Sequence, residues 1–462
     1  MRQGSSTLPA DEAGRVCDRL AGLEQVIGSE TVRQVLLDSG RVNARRCPMN
    51  YEVTLWVVLA IGLFTDIPIR QVFKRTRFAR KGESTPCRST LCLARQRLGV
   101  APVRRLFQQT VRPLATPDTP GAFYKGYRLM GIDGVVHNLP DREANEATFG
   151  RPSGGHRGQG AFPQLRKVSL VELGTHVETA FLAKPITTGE QAVVPALLKH
   201  FPQDGLLLWD RGYFSYFLWK TLTERGIPVL ARVGKHLILQ PIRHLADGSY
   251  LAKIYPSPED RKKDRRGILV RVIRYRLDDP QRVGHDEEHI LIANLFDEAL
   301  HPAVELIVLY HERWEHELVY DEQKTHQDPR RATKPANLRS ETPAGVIQEL
   351  YALSLAHFVT RALMFQAAHT VGLDPDRLSF TGCFQILQTR LPECDGRSPA
   401  SLQDWYDALL WEMSQERTEP RRNRINPRVI KQKMSRWKKK RAEHFHPPPL
   451  TKTFDEAVVM AI

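Results

Sequence analysis

The stretch LYHERWEHELVYDEQK (309–324) sets a tyrosine, an arginine, several glutamates and a lysine at spacings that gain meaning on a helix. At about 100° per residue, Tyr310, Arg313, Glu317 and Lys324 fall within roughly 60° of one another. Asp321 shares that face, so helix geometry alone does not choose between Glu317 and Asp321, whereas Glu312, Glu315 and Glu322 point elsewhere. Two more acids close apolar runs that read as buried strands: YRLMGIDGVV, ending near Asp133, and GLLLWDRGYF, ending at Asp210. An ionised carboxylate at the end of a core strand needs a partner or a cation, and two on neighbouring strands repel unless a divalent ion lies between them. Mg2+ prefers oxygen ligands, takes one or two carboxylates and keeps positions for water and phosphate. Taken singly, each feature has a plainer reading, a charge-laced surface helix or a turn aspartate. Together they predict a hard-cation site suited to phosphoryl chemistry.

The bulk numbers favour a polyanionic partner for such a site. Lys plus Arg total 67 against 52 Asp plus Glu in 462 residues, a formal charge of +15, and nucleic acid is the leading candidate. The longest apolar stretch, LWVVLAIGLF from Leu55, is too short to span a bilayer and reads as a core helix. No secretory signal is visible at the N-terminus, so the expectation is a cytoplasmic, nucleoid-associated protein that needs no membrane. The six cysteines show no CxxC spacing and read as reduced. HDEEH, from His285 to His289, places two histidines as a zinc helix would, but the β-prone ILIANL that follows argues for a strand.

These elements require a scaffold. Residues 1–113 read as a helical DNA-binding domain; from Arg70 to Arg112 there are twelve Lys or Arg and one acid, Glu83, and Arg95 and Arg97 lie on a helix closed by Gly99. A Pro- and Gly-rich linker, 114–122, leads into an α/β core whose first part is 123–233. A β-rich insertion occupies 234–299, the core helix with its acid 300–345, and C-terminal helices with a basic tail 346–462. From Arg421 to Arg441 the tail holds eleven Lys or Arg and no acid. The glycine-rich FGRPSGGHRGQGAF beside Asp133 reads as a loop over DNA or as a plain exposed loop.

YHERWEHELVYDEQK fits the pattern Y, two residues, R, three, E, six, K without a gap, and in this it resembles the insertion-sequence 4 family of bacterial DDE transposases. GIDGVVHNLPD, WDRGYFSY, FPQLRKVSLVELGTHV and the segment ending ARQRLG are similar to other parts of that family. The resemblance implies a ribonuclease-H-like core with a β-rich insertion between the second Asp and the Glu. It selects Glu317 over Asp321, makes Asp133, Asp210 and Glu317 the catalytic ligands of Mg2+ (or Mn2+ as substitute), and puts Tyr310, Arg313 and Lys324 at the DNA. It further implies terminal inverted repeats and target DNA as substrates, a homodimer joined through the C-terminal helices, and cut-and-paste movement through a hairpin. No motif position identifies an aromatic that stacks on a flipped base, although Trp209 and Trp314 lie near the site. The rival readings are a stand-alone metal-dependent nuclease and a non-catalytic DNA-binding regulator derived from a transposase.

Overall fold

The computed structural model describes residues 18–42, 49–77, 84–153, 158, 160–282, 285, 287–327, 338–395, 397–419, 429–430, 438–439 and 449–461. Most of the basic stretch 421–441 and part of the glycine-rich loop near Asp133 therefore lie outside the described residues.

Five helices open the chain: α1 (Ser29–Asp38), α2 (Tyr51–Leu63), α3 (Ile69–Thr76), α4 (Arg88–Leu98) and α5 (Ala101–Thr110). The core follows as β1 (Phe123–Tyr124), β2 (Tyr127–Asn138), α6 (Glu143–Phe149), β3 (Gln164–Glu172), β4 (Val177–Pro185), α7 (Glu190–Leu197), β5 (Gly205–Trp209), α8 (Tyr216–Glu224) and β6 (Val229–Arg232). Strands β7 (Arg243–His244) and β8 (Tyr250–Ile254), helix α9 (Pro258–Lys262), and strands β9 (Ile268–Leu277) and β10 (His289–Ala293) fill the expected insertion. Then come α10 (Ala303–Tyr310), α11 (Glu315–Asp321), α12 (Pro343–Thr370), α13 (Phe380–Arg390), α14 (Pro399–Gln415) and α15 (Phe454–Ala457).

One sheet organises the core, in the order β4-β3-β2-β5-β6-β10-β9-β8-β7. β2, β3 and β4 form an antiparallel meander, and β5 and β6 then run parallel to β2. This is the ribonuclease-H-like arrangement. β5 is buried at all five positions, as a central strand covered on both faces must be. The inserted strands continue the same sheet, because β10 pairs antiparallel with β6 instead of starting a separate lobe. HDEEH forms a turn into β10, where His289 stacks on Tyr275.

Helices cover both faces of the sheet. Val193, Val194 and Leu197 of α7 and Leu218, Trp219 and Leu222 of α8 pack with Met130, Ile132, Leu207 and Trp209. Leu306, Ile307 and Tyr310 of α10 and Val319 of α11 pack with Leu129, Leu206 and Leu208 on the other face.

A helical body flanks this core and draws on both ends of the chain. α2 is buried continuously from Val53 to Leu63, and α12, with a buried majority, lies against it. Gly62 permits the close approach, since a Cβ there would run into the Ala352 carbonyl. Helices 18–110 and 343–415 thus share one hydrophobic core, and the surface of α12 is covered largely within its own chain. Cys87, Cys92, Cys383 and Cys394 are free thiols. Among the described residues no helix is long and apolar enough to cross a membrane.

After the basic stretch the chain returns to the core. Val458–Met460 pairs with β9, and Phe454 packs its ring 3.8 Å, centroid to centroid, from that of His311. Thr453 caps α15 in a reciprocal box with Glu456, whose carboxylate accepts the Thr453 N–H at 2.8 Å. Thr453→Ala is expected to cost about 1 kcal/mol in urea unfolding without changing the slope of the transition.

Candidate active site

Sheet alternation brings the acids together. Leu129 and Leu206 face α10 and α11, so the same side of the sheet carries residues 131 and 133 of β2 and 208 and 210 of β5 and its extension. Gly131 fits this placement, because a Cβ there would meet His316 of α11. β2 and β5 pair in parallel up to Gly131 and Leu208; two residues further on, Asp133 stands level with Asp210. Asp133 does not end its strand, as the sequence suggested: β2 runs on to Asn138, paired only with β3. β5 stops at Trp209, which opens a notch beside Asp133.

Glu317 reaches the same place from α11. Burial, the largest influence, raises the Asp133 pKa to about 6; the Gly134 N–H and Arg313 oppose it, while Glu190 and Glu317 add to it. Arg313 is 5% exposed, and its Nη2 donates to Glu317 Oε1 at 3.2 Å. Burial lowers its pKa, but Tyr310, Asp210, Glu317 and Asp133 outweigh that and hold the guanidinium charged. The three acids therefore surround one buried cation. Asp321 instead pairs with His326 at 3.1 Å on an exposed part of the helix.

The motif is not one regular helix. α10 tightens into a 3-10 turn at His311–Trp314, continues as α11 and widens into a π turn at Glu322–His326. Such irregular turns often mark functional sites. Tyr310 is buried and donates its hydroxyl to the Trp209 carbonyl at 3.2 Å, tying the helix to the residue before Asp210. Tyr320 donates to the Asp133 carbonyl, and Lys324 Nζ donates to the Val136 carbonyl at 3.0 Å. Trp209 is fully buried, and the Arg313 guanidinium lies over the Trp314 ring.

Residues 18–108 match the family described as insertion element 4 transposase N-terminal, and residues 124–358 match the transposase DDE domain. The chain is 31% identical over 432 residues to the transposase InsG for insertion sequence element IS4 of Escherichia coli (strain K12), covering 91% of this chain and 93% of that one. This chain belongs to the insertion element 4 family of DDE transposases. The transposase is also 27% identical to the putative transposase InsZ of the same organism over 201 residues, 43% of this chain and 66% of that one. A piggyBac transposase synaptic complex with hairpin DNA, solved by cryo-EM, is similar at a TM-score of 0.42 and 10% identity over 86% of both chains. The transposase is accordingly a DNA-cleaving and strand-transferring enzyme of an insertion sequence.

DDE transposases depend on metal ions, and the residues present fit them. Asp133, Asp210 and Glu317 offer only anionic oxygen, the chemistry hard divalent ions select, and the raised pKa of Asp133 marks excess negative charge that a bound cation would relieve.

A second charged cluster, which the sequence did not disclose, lies behind the transposase motif helix. His176, in the β3–β4 turn, holds Glu315 at 2.6 Å through Nε2 and Glu322 at 3.1 Å through Nδ1. Glu322 also accepts from Arg361 Nε at 3.0 Å and from His357 Nε2 at 2.9 Å. His176, Glu315 and Asp376 could in principle hold a metal ion, their ligand atoms lying within 4.8 Å of one another. The chain supplies its own cations there, however. Burial and Arg361 lower the His176 pKa, but Glu322, Asp376 and Glu315 outweigh them and raise it to about 9, so the ring is an imidazolium at neutral pH.

Arg95 and Arg97 part company. Arg95 is turned inward, its Nη2 donating to Ser340 Oγ and the Gly345 carbonyl, both at 3.1 Å, at the start of α12; Arg97 is exposed.

Proposed function

We propose that this transposase binds the terminal inverted repeats of its own element, cleaves at the element ends and joins the freed 3′-hydroxyls to target DNA by phosphoryl transfer with two Mg2+ ions. Asp133, Asp210 and Glu317 hold the ions. The reading rests on one observation above all: two aspartates level on adjacent parallel strands, with a glutamate brought over the same face by a helix anchored at both strands. When bound, such ions lower the pKa of a water or 3′-hydroxyl and stabilise the departing oxygen. The chain's own groups set the geometry. Tyr310 and Tyr320 fix the motif helix to the backbone beside each aspartate, and Arg313 holds Glu317 against mutual repulsion among the acids. By resemblance, Tyr310, Arg313 and Lys324 also border the DNA end. The notch left by the short β5 is where a scissile phosphate reaches the acids. Two ends must be cut together, which calls for a homodimer in the synaptic complex. Second-strand cleavage through a hairpin and work at the bacterial nucleoid complete the reading.

The test is a plasmid carrying the repeats that flank the gene, incubated with the protein and Mg2+ and scored for excision and for joining to a second plasmid. Excision with joined product supports the proposal; excision without joining leaves a nuclease, and binding without either leaves a regulator.

The N-terminal helices supply an internal control. Arg97→Ala is expected to weaken binding to the repeats and lower the salt dependence of log K by about one unit of slope, with no change in stability. Arg95→Ala is expected to do the reverse, costing about 1–3 kcal/mol in unfolding, because it leaves Ser340, Gln348 and Gly345 without their donor. Fluorescence anisotropy across a salt series, beside urea unfolding, separates the two.

A further inference from the structure

β2 alternates, so Gly134 faces away from Asp133 and toward α7, whose first residue is Glu190. The Glu190 carboxylate lies directly against this glycine. A Cβ at Gly134 would sit 2.5 Å from Glu190 Cδ and 2.6 Å from Oε1, so only glycine leaves the carboxylate its place. Beyond Gly131 β2 has no β5 neighbour, and at this open edge groups from both faces of the sheet reach one notch. Glu190 is close enough to Asp133 to raise its pKa, after burial.

Three contacts fix Glu190 there. Gln191 Nε2 donates to the Gly212 carbonyl at 2.8 Å, tying the start of α7 to the turn that follows Asp210. Arg166 Nη1 donates to the Thr188 carbonyl at 3.0 Å, while its Nε stands 3.8 Å from Glu190 Oε1, too far for a full ion-paired hydrogen bond. Tyr213, in the turn after Asp210, is 2% exposed, and among the described residues its hydroxyl completes no hydrogen bond although Asp133 and Glu190 are its main electrostatic neighbours. A buried phenol without a partner, aimed at two carboxylates, is costly unless something joins the group.

We propose that Glu190 is a fourth carboxylate of the cation centre, entering from the α7 face through the space left by Gly134 and steadied by Tyr213 and the Gln191 anchor. This rests on the assignment of Asp133, Asp210 and Glu317 as ligands and adds a residue to it. Two ions sharing three carboxylates are thinly held, and a fourth acid at the open edge gives the second ion a ligand of its own.

The test measures metal binding directly: free Mn2+ is followed by electron paramagnetic resonance as it is titrated into the full chain, with no DNA and no turnover. Glu190→Gln keeps shape and loses charge. It is expected to weaken Mn2+ binding by about tenfold or more and to lower the number of ions bound. Gly134→Ala is the second variant: it pushes aside the end of a flexible side chain, should melt like the wild type in EDTA, and should reproduce the Mn2+ defect with Glu190 intact. Asp133→Asn separates the two claims. Weakened binding in Asp133→Asn, with wild-type isotherms in Glu190→Gln and Gly134→Ala, overturns the fourth ligand and leaves the triad standing. Wild-type isotherms in all three overturn both.

Discussion

Asp133→Asn is expected to reduce excision and joining about a thousandfold or more while leaving repeat binding intact, since removing an anionic ligand forfeits about 4 kcal/mol of charge stabilisation in the transition state. The same change is expected to stabilise the metal-free protein. Burial raises the Asp133 pKa from 3.8 to about 6, so the folded chain keeps this proton to higher pH than the unfolded chain does. Stability linked to it is present below pH 4 and lost as the pH rises toward 6. At pH 7 the ionised carboxylate then costs on the order of 1–3 kcal/mol, discounted for its partial exposure. In EDTA at pH 7, Asp133→Asn should therefore melt above the wild type, and Mg2+ should raise the melting temperature of the wild type far more than that of the variant. A variant that melts lower in EDTA, or gains as much from Mg2+ as the wild type, would remove Asp133 from the cation site. Function here carries a cost in stability that the cation offsets.

The local elements of the site were legible because apolar alternation and strand-end acids are local signals. GLLLW reads as a buried strand and is one, and the placement of Asp210 after it followed. Asp133 was set at a strand end because its later pairing with β3 involves residues some thirty positions away, and VVHN contains no breaker to mark the true end. The 100° ruler also misjudged the motif helix, which changes pitch twice, so the positions of Arg313 and Lys324 came only from the structure. Arg95 and Arg97 look alike in sequence; which one turns inward depends on α12, about 250 residues later. Glu190, in TTGEQ, reads as an ordinary first-turn acid of a helix, and its place beneath Gly134 is a tertiary fact. The helical body was equally hidden, since nothing in 18–110 announces that its core is completed by 343–415.

The buried cluster was missed for the same reason, and it carries the largest expected loss of stability. Glu322 lies one turn beyond Glu317 and binds cationic groups from the β3–β4 turn and from α12, which makes it the joint between the motif helix, the sheet and the helical body. Burial alone would raise its pKa, but Arg361 and His176 hold it well below the usual carboxylate range. Glu322→Gln removes the charge and strands Arg361 and His176 in the interior. Breaking a buried pair from one side costs about 3–5 kcal/mol, and the urea midpoint should fall accordingly. The pH dependence follows from His176, whose folded pKa of about 9 lies above its model value of 6.5. A group raised in this way contributes stability that is full below pH 6.5 and lost as the pH climbs through 9, on the order of 3 kcal/mol at most. Wild-type unfolding free energy should therefore decline across pH 6.5–9, and His176→Gln should flatten that decline. A flat wild-type profile would mean that the ring is neutral and Glu315 is satisfied some other way. A Glu322→Gln protein within 1 kcal/mol of wild type would mean that Arg361 finds its counter-charge in Asp376 and Glu315 without Glu322.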